Sequence, residues 1–357
     1  MRGARRIRRA PLSLGLWSTI VALASVKTAG GLEIPRLQAI PLPQQQISFQ
    51  LDERELARYY FSPDAIRPFV YPVVGPSGRS LTRMGHPGDP HLHSHHNSVW
   101  FSFSKIHGVD FWTDRGGGRI RHAYIEQLED GNENAFALTV GEWLDQGGRV
   151  LLRERRYVGV KLLGEKEWML LLELQLEPAT SAPLIVEQGS FGPIGVRMAK
   201  WISVHYGGGR IRSSEGAEGE EAIFRRPARW VDYSGPVAAG VIEGITLMDH
   251  PANPRHPAPF HVRADGWMGT LLALQEPYVI EPGARLQLRY GLYVHEGVPA
   301  AAKIEGVWKR FASEPLRPPL GPPQSRQDCL HGGFRRYTTP REFKTQRECE
   351  EFIRGGK

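Results

Sequence analysis

Trp168-Met169-Leu170-Leu171-Leu172-Glu173-Leu174-Gln175-Leu176 decides the fold. In an extended chain successive side chains point to opposite faces, so Trp168, Leu170, Leu172 and Leu174 share one face. Met169, Leu171 and Leu176 thicken the apolar run. Leu286-Gln287-Leu288-Arg289-Tyr290 alternates more cleanly still. Residues 222–231, 241–248, 271–274 and 286–294 read as strands in the same way, bounded by Gly, Pro, Asn and Asp. No stretch in this region carries a long helical stripe with caps. Strands at short spacing without intervening helices predict an all-β protein, a large antiparallel β-sandwich or supersandwich.

Working outward, residues 47–312 form that β domain and residues 25–46 an extended Pro/Gln-rich lead-in. Ala300, Ala301, Ala302, Ile304, Val307, Trp308 and Phe311 predict one amphipathic C-terminal helix after Pro299. Five prolines in the nine residues 315–323 mark a linker over 313–325. Residues 326–357 form a small tail around Cys329 and Cys349, the only cysteines. Two cysteines in one short segment read as one local staple; two reduced thiols that never meet remain the alternative.

Residues 1–24 run from an Arg-rich start through a short apolar stretch to Ala22-Leu23-Ala24, the order of a secretory signal peptide. Export to the periplasm or beyond would permit a disulfide. An uncleaved N-terminal anchor is the alternative, and the only membrane attachment expected. The formal charge is +7, but residues 1–24 carry +5 of it, leaving +2 for the rest. No basic patch in the folded part calls for nucleic acid. A 41% hydrophobic, 23% charged chain of 357 residues is neither disordered throughout nor a polytopic membrane protein.

Four constellations carry candidate chemistry. The first is the loop Gly85 to Asn97, with five His and one Asp in residues 86–96. His93, His95 and His96 are candidate metal ligands, and His96 is equally a candidate proton carrier. His91-x-His93-x-x-His96 approaches the pattern of metallo-β-lactamase-like hydrolases, but His95 occupies the Asp position. The second is Gly108-Val109-Asp110-Phe111-Trp112, where Trp112 beside Asp110 suits a sugar ring. The third is Asp249-His250-Pro251-Ala252-Asn253-Pro254-Arg255-His256-Pro257, continuing to His261-Val262-Arg263. Proline fixes φ and lowers the cost of holding polar side chains in place. The fourth is Ser213-Ser214-Glu215-Gly216 with Trp230-Val231-Asp232-Tyr233-Ser234-Gly235. Each has a structural alternative: a polar loop bonded to its own backbone, a buried aromatic, a loop pinned by its own ion pairs, a turn.

Those motifs, from His95-His96-Asn97-Ser98-Val99-Trp100-Phe101 through His261-Val262-Arg263, resemble a bacterial secreted family labelled "methane oxygenase PmoA" over about residues 60–300. The resemblance implies export and carries no established activity. The family's compact Asp-His-Pro-His-His is stretched here to Asp89-Pro90-His91-Leu92-His93-Ser94-His95-His96. Ile280-Glu281-Pro282-Gly283-Ala284-Arg285-Leu286, leading into residues 288–294, resembles the last strands of galactose mutarotase-like β-supersandwiches. That resemblance implies a sugar lying across a sheet face, with His and carboxylate groups moving protons. The tail resembles a module at the ends of secreted bacterial proteins, which implies that Cys329 and Cys349 pair.

The expectation is an exported carbohydrate-active protein acting as an epimerase, lyase or glycosidase. His96, His256, His261, Asp249 and Glu215 are its candidate catalytic groups. Trp112, Asp110, Arg197, Trp230, Asp232, Tyr233, Arg255 and Arg263 are its candidate sugar or uronate contacts. No cofactor is expected; a divalent metal at the His-rich loop, serving a hydrolase or oxygenase, is one alternative. A non-catalytic exported glycan-binding module is the other.

Overall fold

A computed structural model describes residues 34–85, 93–314, 323, 326–330, 334, 337 and 343–355. The signal peptide, His86 and His91 lie outside the described residues. The chain divides after Ile34, and every element below belongs to the unit Pro35–Lys357. Among the described residues no helix is long and apolar enough to cross a membrane.

The strands are β1 (Leu37–Leu42), β2 (Gln46–Leu51), β3 (Arg54–Tyr60), β4 (Phe69–Val73), β5 (Val99–Phe101), β6 (Arg119–Glu129), β7 (Asn134–Leu144), β8 (Val150–Gly164) and β9 (Glu167–Pro178). They continue as β10 (Leu184–Val186), β11 (Ile194–Arg197), β12 (Arg210–Ser213), β13 (Trp230–Ala238), β14 (Val241–Asp249), β15 (Phe260–Arg263), β16 (Trp267–Thr270), β17 (Tyr278–Ile280) and β18 (Leu286–Glu296). Sheet 1 runs β1-β2-β3-β4-β5-β11-β16-β15 and sheet 2 runs β12-β13-β14-β18-β9-β8-β7-β6. Neighbours pair antiparallel throughout, so the architecture is the antiparallel β-sandwich expected.

One core fills the space between the sheets. Leu170, Leu172, Leu174 and Leu176 of β9 enter it beside Leu288, Tyr290, Leu292 and Val294 of β18. The other face of β9 is apolar for a separate reason. Met169 and Leu171 pack with Trp230, Met248 and Tyr293 beneath helix α3, defined below. A strand covered on both faces needs two apolar faces, which blurs its alternation; β18 is covered on both faces too, but its residues 286–290 alternate because Gln287 and the ion-paired Arg289 stand on the outer face.

Helices are few: α1 (Val204–Gly207), α2 (Gly219–Ile223), α3 (Ala301–Ser313), α4 (Arg326–Cys329) and α5 (Gln346–Arg354). The predicted helix is α3; Ile304, Val307 and Phe311 face sheet 2 at one-turn intervals. Cys329 and Cys349 form a disulfide that joins α4 to α5. Cys329, Phe334, Phe343 and Cys349 build a separate small core for the tail.

Three expectations are corrected. Residues 222–229 are not strand: α2 ends at Ile223, Arg225 has φ +59°, and Pro227 lacks a ladder donor. Residues 271–274 form turns after β16 ends at Thr270. Within the lead-in, residues 37–42 form the edge strand β1, because Leu37 and Ala39 alternate into the core.

Two glycines make opposite predictions. A Cβ on Gly195 would lie 2.4 Å from Cη2 of Trp267, so Gly195→Ala destabilises by about 1–3 kcal/mol. Gly306 lies inside α3 with nothing within 4 Å of such a Cβ, so Gly306→Ala stabilises by about 1 kcal/mol. Urea denaturation of both variants checks the pair; equal shifts would contradict the packing described.

Candidate functional site

Inward residues of sheet 1, such as Val99, Phe101, Ile194, Val196, Phe260, Val262 and Met268, belong to the core. The residues between them therefore point outward. β5 presents Trp100; β11 presents Gly195 and Arg197; β16 presents Trp267 and Gly269; β15 presents His261 and Arg263. The absence of a Cβ at Gly195 lets the Trp267 and Trp100 rings lie directly on the sheet. Trp100 and Trp267 are 5.3 Å apart between centroids, and Trp112 meets them at 5.3 and 5.8 Å. All three indoles are buried, and none of their Nε1–H groups has a hydrogen-bond partner among the described residues. Each buried unmet donor costs about 1–3 kcal/mol. Among the described residues, three such donors stand together in this cluster.

Residues 93–97 of the His-rich loop lie over that floor, held by Arg67. This buried guanidinium donates to His95 O at 3.1 Å, to Asn97 Oδ1 at 3.0 Å and to Trp112 O at 2.7 Å. Burial lowers its pKa to about 10, which leaves it charged at neutral pH. The loop enters β5 through Ser98, a non-glycine residue at φ +58°, a strained conformation of the kind that gathers at functional sites. His96 lies between two rings, 4.4 Å from His93 and 4.8 Å from Trp267. Burial, then the positive charge of Arg197 and the neighbouring His95 and His93, push its pKa far below the ordinary imidazole range. His96 is therefore a neutral ring at physiological pH, enclosed between His93 and Trp267.

The proposed three-histidine metal set does not converge either. A metal lies in the plane of each imidazole that binds it. The His93 and His96 planes are 6° from parallel and stacked, so they share no ligand point. Among the described residues no group of three His, Cys, Asp or Glu side chains is arranged to hold a metal.

The charge on this face centres on Asp265, in the three-residue turn between β15 and β16. Its oxygens accept from Arg197 at 2.8 and 3.2 Å and from Arg263 at 2.7 Å. Burial opposes ionisation of Asp265, but the bonds and charge of Arg197, aided by Arg263, outweigh it and hold the carboxyl below its ordinary range. Arg263 also donates toward Nε2 of His93 at 3.3 Å, tying the loop to β15. His261 donates Nδ1–H to Ser190 O at 3.1 Å. That fixes the neutral tautomer with its lone pair on Nε2. Burial lowers the pKa of His261. Phe191, 40% exposed, stacks on both His261 and Trp112 at 5.3 Å. Arg225, exposed on the same rim, donates to Ser190 Oγ at 2.8 Å.

The structure thus gathers His93, His95, His96, His261, Arg197, Arg263 and Trp112 on one face. The remaining expected site residues serve other ends. Asp249 accepts from His256 Nδ1 at 2.7 Å, Asn253 Nδ2 at 2.7 Å and Ala258 N at 3.0 Å, so it staples the Pro-rich loop to itself. His256 stacks against Trp308 of α3. Arg255 clamps the carbonyls of Leu272, Glu276 and Pro277. Glu215 sits exposed on a turn near Arg229. Trp230 is buried beneath α3 and donates to Glu305. Asp232 is enclosed by Arg212, Ser234, Thr246 and His295. Tyr233 points into the core and donates to Arg263 O and Ala264 O, steadying the turn that carries Asp265. Asp110 uses both oxygens on Trp112 N and Thr113 in its own turn, and so orients Trp112 rather than a ligand.

Sequence reasoning missed Arg67, Phe191, Arg225, Asp265 and Trp267. One signal was available. Asp265-Gly266 stands three residues after His261-Val262, and Gly266 takes φ +99° in the hairpin turn. Such a hairpin sets His261, Arg263 and Trp267 side by side.

Residues 46–309 match the model of DUF6807, a family of unknown function, and the chain belongs to that family. No curated protein matches the chain by sequence. Among solved structures, the heparan sulfate lyase HepC from Pedobacter heparinus is 11% identical, with 74% of this chain covered and a TM-score of 0.39. A heparinase III is 10% identical, with 76% of this chain covered and a TM-score of 0.35. The chain spans 38% of the length of each. At those TM-scores the likenesses carry no functional inference.

Asp265 yields a prediction in two parts. Asp265→Asn strands the buried Arg197 charge and destabilises by about 3–5 kcal/mol at neutral pH. Because the folded pKa of Asp265 lies below 3.8, its contribution is present above that pH and lost as pH falls beneath it. The gap between wild type and variant therefore closes on acidification below 3.8, measurable by urea denaturation across pH. A gap that stays constant would contradict the assignment.

Proposed function

We propose that the chain binds an acidic sugar, a uronate, on the outer face of sheet 1, and that His261 moves a proton there. The observation that carries the reading is the exposed Phe191 ring stacked on His261 at an angle of 28°, with Arg225 and Arg263 on the same rim. An aromatic face suits the C–H face of a pyranose. A guanidinium suits a carboxylate, which it binds through paired N–H donors. Asp265 keeps Arg263 aimed at this face.

Holding the sugar carboxylate against Arg263 would draw charge from the carbon beside it and acidify that carbon's hydrogen. Nε2 of His261, kept unprotonated by burial and oriented by Ser190, is the base for that hydrogen. Loss of the glycosidic oxygen from the neighbouring carbon, the oxygen leaving with the proton that His261 has taken, forms a C=C bond and gives a lyase. Arg197, paired and enclosed, serves as a positioning residue for Asp265. The enclosure of His96 between His93 and Trp267 favours a second reading, a glycan-binding module without chemistry, because it leaves His261 without a second proton carrier beside the ligand.

Calorimetric titration with oligogalacturonate, oligoglucuronate and neutral oligosaccharides tests the binding. Arg263→Ala is expected to weaken uronate binding about ten- to a hundredfold, the worth of one charge-assisted hydrogen bond. His261→Gln is expected to keep the affinity and abolish turnover. In the wild type, activity persists as pH falls through 6.5, since the pKa of His261 lies below that value. Equal binding of uronate by wild type and Arg263→Ala would overturn the proposal. Binding without turnover in every uronate tested would leave the module reading standing in place of the enzyme.

A further inference from the structure

The outer face of sheet 2 carries a cavity that the sheet 1 site does not use. It measures about 250 Å³ and lies between strands β6–β9 and the two-cysteine tail. Helix α3 covers Phe136, Leu138, Tyr157, Met169 and Leu171 on these strands. Farther along the same strands the outward residues turn polar, and Tyr337, Phe334 and Phe343 of the tail stand over them. The disulfide sits in the small core that holds Phe334 and Phe343. The staple therefore fixes the roof of a cavity as well as the tail.

We infer that this cavity is a second carbohydrate site, taking one end of an uncharged glycan. The lining charges that face the cavity balance: Glu126, Glu142 and Glu177 against Arg153, Arg155 and Lys344; Glu154, also in the lining, turns its carboxylate into the core, where it meets Arg156 and Trp143. Glu126 grips Arg155 through two hydrogen bonds of 2.6 and 2.9 Å, and Glu142 pairs with Arg121 at 2.6 Å. Carboxylates already neutralised by guanidiniums repel an added charge of either sign less than they reward hydroxyl groups, which donate to one and accept from the other. Gln175 adds an amide with the same dual capacity. Opposite, the half-buried ring of Tyr337 supplies the apolar face on which a sugar ring stacks, backed by Phe334 and Phe343 in the tail core. The volume is below the range of about 300–1,000 Å³ that encloses drug-sized ligands, so a chain end enters rather than a long segment. The sheet 1 face, by contrast, has Arg225 and Arg263 on its rim and selects for negative charge.

Affinity electrophoresis of the full chain in gels containing soluble xylan, glucomannan or hydroxyethyl cellulose tests the inference. At least one of these neutral polymers is expected to retard the protein. Tyr337→Ala and Gln175→Ala are each expected to weaken retardation about tenfold, with thermal unfolding unchanged. Arg263→Ala is expected to leave it intact, which separates this site from the one on sheet 1. Glu142→Gln, which changes no shape, is a further variant should Tyr337→Ala disturb the tail, and it is expected to weaken retardation too. Lack of retardation by all three polymers would overturn the inference. So would retardation unchanged in Tyr337→Ala, Gln175→Ala and Glu142→Gln, retardation lost in Arg263→Ala, or capture of a peptide ligand in the cavity in place of glycan.

Discussion

Arg197 is fully enclosed in the outer layer of sheet 1, and its charge must be answered from within the protein. Asp265 answers it with two hydrogen bonds, and the rest of the site is arranged around that pair. Because Asp265 lies in the turn joining β15 to β16, neutralising Arg197 fixes that hairpin against β11. The hairpin in turn sets His261, Arg263 and Trp267 on one face. Arg263 shares Asp265 and reaches His93, so the His-rich loop is anchored through the same carboxylate. Removing one partner of such a buried pair costs more than the pair contributes, because the other charge is left in a medium that cannot solvate it.

Two buried arginines do different work here. Arg197 holds strands in register, while Arg67 gathers the carbonyls of two loops, those of His95 and Trp112. Between them they bring a loop near residue 95, a turn near residue 112 and a hairpin near residue 265 to a common floor of indoles. The floor itself carries three N–H donors without a partner among the described residues. A core built for stability alone would have used phenylalanine there, which fills the space without a donor to satisfy.

The fold was legible where periodicity is imposed by a single boundary. Residues 286–290 alternate because Leu286, Leu288 and Tyr290 meet the core while Gln287 and the ion-paired Arg289 stand on the other face. Residues 168–176 did not alternate, yet their apolar density still identified a strand covered on both faces. Residues 222–229 misled, since Ala222-Ile223-Phe224 is as apolar as a strand but Pro227 and a left-handed Arg225 turn the chain. For the proposed site, histidine density pointed to a loop whose residues 93–96 lie on the outer face of sheet 1, and His261-Val262-Arg263 to a strand on the same face. The Pro-rich loop between them was equally dense in chemistry, and its groups are spent on itself. Composition does not separate a loop whose polar groups face a ligand from one whose polar groups face its own backbone. That distinction depends on where Asp249 and Asp265 each find their partners. Both are buried acids near histidines; only Asp265 lies on the open face of a sheet.

The central claim is that ligand binds on the outer face of sheet 1. Hydrogen–deuterium exchange of the full chain, with and without an excess of oligogalacturonate, tests it most directly. The account predicts slower exchange at residues 93–97, 190–197 and 261–267, and no change at 249–256. Protection confined to the Pro-rich loop around Asp249 and His256, with the sheet 1 segments unchanged, would contradict it.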